Sequence, residues 1–162
     1  MSEAVIRVDR ATKRYSVEGG RAQLTVLEAV SLDIRPGEFV SLVGPSGCGK
    51  TTLLKMMAGL TPFEGGAITI RDKAVRAVPD NIGFVFQEPG LMPWLSIQRN
   101  VELGLEASGL DGAAKKARVT RYLEMMGLTK FAKYPPYQLS GGMQQRVALA
   151  RALVVEPDVL FM

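Results

Sequence analysis

The sequence predicts an α/β protein, and three observations support that prediction. Near the start of the chain, apolar residues alternate with charged ones, which is typical of a β-strand with one buried face. A short apolar run then leads through a glycine-rich loop into a segment with one apolar side, as in strand–loop–helix units. The second half contains three segments with helical spacing and ends on another apolar run, so we expect a helical insertion in a mixed core.

Five of the predicted strands precede residue 87, and the sixth ends the chain. Six segments have the short alternating or continuous apolar pattern of strands: residues 5–8, 25–34, 38–43, 67–70, 81–86 and 159–162. Pro36 and Gly37 form a turn between the second and the third of them. We expect the early strands to build an N-terminal antiparallel β subdomain.

Four segments have the spacing of helices: residues 50–60, 96–107, 113–126 and the segment that follows Ser140. Pro62 ends the first because proline cannot continue the backbone hydrogen-bond ladder, and Gly127 is a typical C-terminal residue for the third. Ser140 is a typical N-cap for the last. The order of elements predicts a single domain over residues 1–162 with a helical subdomain at about 90–137.

The composition agrees with a folded domain and excludes several classes of protein. The chain has 162 residues, 47% of them hydrophobic and 22% charged, which is too apolar for a disordered protein. The net charge is +4, but the basic residues are scattered rather than clustered, which argues against a nucleic-acid partner. A single cysteine excludes an internal disulfide, and the lack of histidine removes the commonest general base.

A glycine-rich loop carries the strongest chemical signal. Its residues match the pattern G-x-x-x-x-G-K-[ST]: Gly44, Pro45, Ser46, Gly47, Cys48, Gly49, Lys50 and Thr51. Glycines let backbone amides turn towards a polyphosphate, and the helix N-terminus presents free amides and a partial positive charge. Lys50 adds a cation for the β- and γ-phosphates, the Thr51 hydroxyl can ligate Mg²⁺, and Thr52 completes the predicted binding set. We therefore predict a P-loop NTPase core that binds ATP with Mg²⁺; the alternative is a chance match on an ordinary strand-to-helix turn.

A second motif opens the last predicted helix. Ser140, Gly141 and Gly142 precede Met143, Gln144 and Gln145. A serine cap followed by two glycines makes another helix start that favours an anion. Taken alone, this segment is best explained as a well-capped helix.

Both motifs in this order, with Gln87 closing the apolar run at 82–86, give a sequence that resembles the ATP-binding subunits of ABC transporters. The resemblance implies that residues 44–51 are the Walker A loop and that Gln87 is the Q-loop glutamine, which senses Mg²⁺ and the attacking water. It also implies a homodimer with two ATP molecules between the subunits. Four residues of one subunit would then contact the ATP of the other: Ser140, Gly141, Gly142 and Gln144.

Tyr15 stands where the family has an aromatic residue that stacks on adenine; ordinary packing is the alternative. Residues 83–89, followed by Leu91, Met92, Pro93 and Trp94, are similar to the nitrate, sulfonate and taurine importers. That likeness implies import of a small solute, with a separate solute-binding protein and a peripheral position on the cytoplasmic face of the membrane. It also implies permease subunits that contact the chain near Leu91, Met92 and Trp94, for which a local apolar cluster is the alternative explanation.

The last apolar run resembles the strand that in this family precedes the Walker B aspartate and the catalytic glutamate. The sequence ends before both acids and has no histidine for the family's switch position. We therefore expect a C-terminally truncated chain that binds ATP at best weakly and hydrolyses it hardly at all, whereas the parent protein is an ATPase. Two alternatives remain open: a non-hydrolytic nucleotide-binding or regulatory module, and a soluble ABC ATPase not linked to transport.

Overall fold

The computed structural model describes residues 4–17 and 22–162, which fall into two units that divide between Asp80 and Asn81. The first unit contains four strands and one helix: β1 Ile6–Val17, β2 Ala22–Ile34, α1 Lys50–Met57, β3 Gly65–Ile70 and β4 Lys73–Ala74. The strands form one sheet in the order β2-β1-β3-β4, and each neighbouring pair is antiparallel. The predicted N-terminal antiparallel subdomain is therefore present, with longer strands than the alternation alone predicts.

A bulge in β1 explains why that strand is longer than predicted. Arg10 has a φ of 47°, and the register with both neighbouring strands shifts beside it. Opposite the bulge, Gly66 has a φ of 81°, and a Cβ on it would lie 2.3 Å from the carbonyl oxygens of Asp9 and Arg10. The bulge adds one residue, so the inward-facing side chains are even-numbered up to Val8 and odd-numbered from Ala11 and Lys13 onward.

Helix α1 covers the apolar face of this sheet. Leu53, Met56 and Met57 are buried on it, and α1 contacts β3, whose Ile68 is buried as well. The helix ends at Met57 with Ala58 as its C-cap, so it is slightly shorter than the predicted 50–60.

The predicted strand at 38–43 is wrong for this structure. These residues form no strand, and Val43 is 91% exposed. An apolar run becomes a strand only when a neighbour supplies hydrogen-bond partners for its backbone. Within the described part of the first unit, the four strands pair with one another and none pairs with this segment.

The second unit combines a two-stranded parallel sheet with three helices: β5 Ile82–Phe84, α2 Ile97–Glu102, α3 Gly112–Met125, α4 Gly141–Leu153 and β6 Val159–Phe161. Strand β5 pairs with β6, and a Cβ on Gly83 of β5 would lie 2.8 Å from the Leu160 side chain. The close approach of the two strands therefore requires a glycine at position 83.

The three helices of the second unit share one core, to which α2 contributes Ile97 and Val101, α3 contributes Val119, and α4 contributes Val147 and Ala150. The predicted helix at 96–107 is α2 followed by a 3₁₀ turn, Leu103–Leu105, and the predictions at 113–126 and after Ser140 are confirmed. Helices α2 and α3 lie within the predicted helical subdomain, while the single-domain organisation stays a prediction. Over the described residues, no helix has the length and apolar character required to span a bilayer.

Candidate functional site

The predicted phosphate loop leads directly into α1. Gly49 immediately precedes the helix with a φ of 96°, and Gly47 has a φ of 81°. A Cβ on Gly49 would lie 2.7 Å from the Leu27 side chain, so the packing of the loop on β2 also requires a glycine here. The sequence therefore places glycine at the positions where the chain adopts left-handed backbone conformations beside the helix.

The ammonium group of Lys50 lies at this loop. Its Nζ donates hydrogen bonds to the carbonyl oxygens of Gly44 at 2.9 Å and Pro45 at 2.7 Å, and it lies 3.6 Å from the Sγ of Cys48. A phosphate oxygen is also a hydrogen-bond acceptor, and the negative charge shared among the oxygens of a phosphate strengthens its bond to an ammonium group. The lysine is therefore positioned to pair with an anion bound by the loop.

The N-terminus of α1 is chemically different from the other helix starts. Among the described residues, α2, α3 and α4 each begin at a side-chain cap, from Ser96, Asp111 and Ser140 respectively, whereas α1 has none. Its first intrahelical bond runs from the Leu53 amide to the Gly49 carbonyl at 2.9 Å, which leaves the preceding amides of the first turn directed out of the helix. Three uncapped amides beside an ammonium group are suited to an anion with several oxygens.

A metal ion could find few protein ligands here. The described residues contain no group of three or more His, Cys, Asp or Glu side chains that could hold a metal. Thr51 supplies a hydroxyl at the start of α1, and Mg²⁺ commonly takes its remaining ligands from substrate phosphates and water. The residues present therefore fit Mg²⁺ as a companion of a bound polyphosphate.

Tyr15 lies on β1, where it pairs with Leu24 of β2 and keeps 40% of its surface exposed. The Nζ of Lys13 lies 4.9 Å from the centre of the Tyr15 ring and forms an ion pair with Glu64 at 2.7 Å. The sequence reasoning missed both Lys13 and Glu64. The bulge at Arg10 turns Lys13 inward, and a period-two pattern read from the start of the strand places it outside.

The second motif lies at the start of α4 in the second unit. The Ser140 hydroxyl accepts a hydrogen bond from the Met143 amide at 3.4 Å, which confirms the predicted cap. Gly141 and Gly142 are exposed, and added Cβ atoms there would meet nothing within 4 Å. The helix start is therefore open to a large partner, so the two glycines are not required by contacts within the described chain.

Gln144 has a contact that the sequence did not suggest. Its side-chain Nε2 donates to the carbonyl oxygens of Pro136 at 3.0 Å and Leu139 at 3.2 Å. In this structure the side chain stabilises the loop that leads into α4. Its contact with nucleotide stays a prediction.

Gln87 follows β5, and the segment after it is attached to α4. The Gln87 carbonyl accepts a hydrogen bond from Gln145 Nε2 at 2.7 Å. Arg151 donates from its two terminal nitrogens to the carbonyl oxygens of Pro89 at 2.7 Å and Gly90 at 2.9 Å. Burial lowers the pKa of the Arg151 guanidinium below its usual value. The helix that begins with the second motif is thus bonded to the Gln87 segment at three carbonyls.

Asn100 determines the shape of the apolar loop before α2. It is fully buried, and its Oδ1 accepts a hydrogen bond from the Met92 amide at 2.7 Å. Its Nδ2 donates to the carbonyl oxygens of Met92, Leu95 and Ser96 at 3.1–3.3 Å. Leu91 packs against the helical core, as the local-cluster alternative expects, whereas Trp94 is 76% exposed. The loop therefore combines an anchored start with an exposed aromatic residue.

Comparison with known proteins identifies the family of this chain. The model of the ABC transporter family matches residues 27–162. The Fe(3+) ions import ATP-binding protein FbpC of Fusobacterium nucleatum is 42% identical over 160 residues, which cover 97% of this chain and 42% of that protein. The taurine import ATP-binding protein TauB of Rhizobium johnstonii is 43% identical over 158 residues, which cover 98% of this chain and 60% of that protein. The chain therefore spans about half the length of these relatives.

A solved structure shares the fold. The ATP-binding cassette MJ0796, determined as a dimer in a post-hydrolysis state bound to ADP and Pi, has a TM-score of 0.87 and 37% sequence identity. The match covers 96% of this chain and 72% of that one. The predicted α/β fold with a P-loop core is confirmed by this likeness.

Proposed function

This chain belongs to the ABC transporter family, and on that premise we propose that it binds ATP through the loop at residues 44–51. The observation that carries the proposal is the start of α1, which lacks a side-chain cap and lies beside the Lys50 ammonium. ATP carries its charge on the triphosphate, so the backbone amides and the partial positive charge of the helix bind where that charge is concentrated. Thr51 would supply the protein hydroxyl to Mg²⁺, whose positive charge further neutralises the phosphates.

We further propose that two copies assemble around ATP. Ser140 caps the start of α4, and the exposed Gly141 and Gly142 that follow it would meet nothing within 4 Å if each carried a Cβ. A second copy's helix start of this kind can cover the γ-phosphate that the first copy's loop leaves facing water. ATP would then stabilise the dimer, whereas ADP, which lacks that phosphate, would do so poorly. The MJ0796 cassette, solved as a dimer with ADP and Pi, supports this assembly.

The wider role that we propose is the supply of energy for solute import. In the whole protein, ATP hydrolysis would open the dimer and move a membrane permease, and Gln87 would sense Mg²⁺ and the attacking water. The apolar loop with Leu91, Met92 and exposed Trp94 is the proposed permease contact. A separate binding protein would deliver the solute, with this chain peripheral on the cytoplasmic face of the membrane.

The transported solute is proposed only by class. Relatives at similar identity include one named for the import of Fe(3+) ions and one named for the import of taurine. The loop at residues 83–94 favours a nitrate-, sulfonate- or taurine-like solute. Because a separate protein would select the solute, importers of different solutes need not differ in this subunit.

Nucleotide binding is tested by calorimetry with MgATP on the purified protein and its Lys50→Ala variant. We expect Lys50→Ala to weaken binding about tenfold or more, since hydrogen bonds to charged groups contribute about 1.5–3 kcal/mol. Lys55→Ala is the matched control, because Lys55 has the same charge but lies in the last turn of the same helix. Equal affinities for the two variants would contradict the proposal. Binding without phosphate release in the whole protein would instead support the non-hydrolytic alternative.

A further inference from the structure

Lys13 occupies a position that is unusual for a lysine. Its side chain is 7% exposed, on the inward face of β1 next to buried Ala11. Lysine is rarely buried in this way unless it is paired, and an apolar residue of similar volume commonly gives equal or greater stability than a buried ion pair. The buried ammonium group therefore calls for an explanation other than packing.

Glu64 attaches to three successive residues of β1. Its Oε1 pairs with Lys13 Nζ at 2.7 Å, and its Oε2 accepts a hydrogen bond from the Arg14 amide at 2.7 Å. Its own amide donates to the Thr12 carbonyl at 3.0 Å. The hydrogen bond from Lys13, followed by that from the Arg14 amide, lowers the pKa of the Glu64 carboxyl below its usual value. The position of the Lys13 ammonium is thus determined by a carboxylate that is itself fixed to the strand.

The ammonium group lies against one aromatic ring. Lys13 and Tyr15 are two residues apart, so both side chains are on the same face of β1. Lys13 Nζ lies 4.9 Å from the Tyr15 ring centre, within the range of a cation–π contact, and Tyr15 remains 40% exposed. One face of the ring is therefore covered by a fixed cation while part of the ring stays accessible.

We propose that Lys13 is a positioning residue, fixed by Glu64, that orients the Tyr15 ring, on which the family resemblance already predicts that adenine stacks. The inference rests on the proposed function, since it assumes that residues 44–51 bind the phosphates of the same nucleotide. A planar base stacks on an aromatic ring whatever its edge groups are, so the contact increases affinity for nucleotides over bare phosphate chains. A ring that is already oriented loses less side-chain freedom on binding.

The test compares MgATP with magnesium tripolyphosphate, which has the phosphates but no base. Calorimetry would measure both affinities for the wild type, Lys13→Met, Tyr15→Leu and the double variant, with Lys73→Met as a control at an exposed lysine of the same sheet. We expect Tyr15→Leu to weaken ATP about tenfold and Lys13→Met about threefold, with tripolyphosphate unchanged. The double variant should lose no more ATP affinity than Tyr15→Leu alone. Lys13→Arg should keep the ATP affinity of the wild type, because arginine retains the cation.

Two results would overturn the proposal: an equal loss of both ligands in Lys13→Met, or full ATP affinity in that variant. If Lys13→Met fails to fold, Glu64→Gln replaces it, since the Glu64 side chain is 42% exposed and glutamine has nearly the same shape. Glu64→Gln must then show the same selective loss for ATP. If the wild type binds tripolyphosphate as tightly as ATP, this inference fails while the proposed phosphate loop stands. If the wild type binds neither ATP nor tripolyphosphate, both this inference and the proposed phosphate loop fail.

Discussion

Replacing Asn100 with leucine should loosen the loop that carries Trp94. The Asn100 side chain makes four hydrogen bonds, and two of its partners would keep another hydrogen bond in the variant. The Met92 carbonyl also accepts from the Leu95 amide, and the Ser96 carbonyl also accepts from the Asn100 amide. The Met92 amide and the Leu95 carbonyl lose the only bond that the described residues give them. An orphaned buried polar group costs about 1–3 kcal/mol, and the Leu95 contact is long, so we expect a total loss of about 2–4 kcal/mol.

The assay combines denaturant unfolding with fluorescence anisotropy. Trp94 is the only tryptophan of the chain, so its anisotropy reports on this loop alone. We expect the anisotropy of Asn100→Leu to fall before global unfolding, because the start of the loop is no longer bonded to α2. Gln98→Leu is the matched control, with the same type of change on the same helix at a partly exposed site. The reasoning would be refuted if the two variants had the same stability and the same Trp94 anisotropy.

Three further predictions follow from other contacts. Gly66→Ala should lower the free energy of unfolding by more than about 3 kcal/mol, since its Cβ would lie 2.3 Å from two carbonyl oxygens. Gly37→Ala should lower it by only about 1 kcal/mol, because Gly37 has a φ of 75° but nothing within 4 Å of an added Cβ. Similar melting temperatures for the two variants would contradict this prediction. Glu64 has a lowered pKa in the folded state, so its stabilising contribution is present above its ordinary pKa of 4.5 and is lost as the pH falls through the lowered value. Glu64→Gln should therefore reduce the dependence of the free energy of unfolding on pH in the acid range. An unchanged dependence would count against the ion pair. Arg151→Met should lower the free energy of unfolding by about 2–3 kcal/mol and speed amide hydrogen exchange in the segment just after Gln87. Arg146→Met is the control, because it loses one hydrogen bond to a carbonyl elsewhere and should leave that segment protected. Equal protection of the segment in both variants would refute its attachment to α4.

Much of the candidate site follows from rules that act within a few residues. A cap requires a serine three residues before the amide that it accepts from, and Ser140 meets that condition with Met143. The conformation of the phosphate loop likewise depends on glycines next to the helix that they precede. The sequence therefore predicted both motifs and the helices behind them.

The wrong strand at 38–43 and the missed Lys13 have a common origin. An apolar run does not state which segment will supply its hydrogen-bond partners, and an alternating pattern does not state where a bulge will exchange its faces. The bulge at Arg10 depends on Gly66, which lies on a strand far along the chain. Neither outcome can be read from the residues of the segment itself.

By itself, the sequence determined the α/β class, the family and the residues of the proposed phosphate loop, because each depends on short patterns of residue type. The tertiary structure alone decided which polar side chains are buried and what they contact. Lys13 meets Glu64 across 51 positions, and Arg151 reaches Gly90 across 61. Such contacts arise from the pairing of distant strands and helices, so their energies depend on geometry that no local pattern contains.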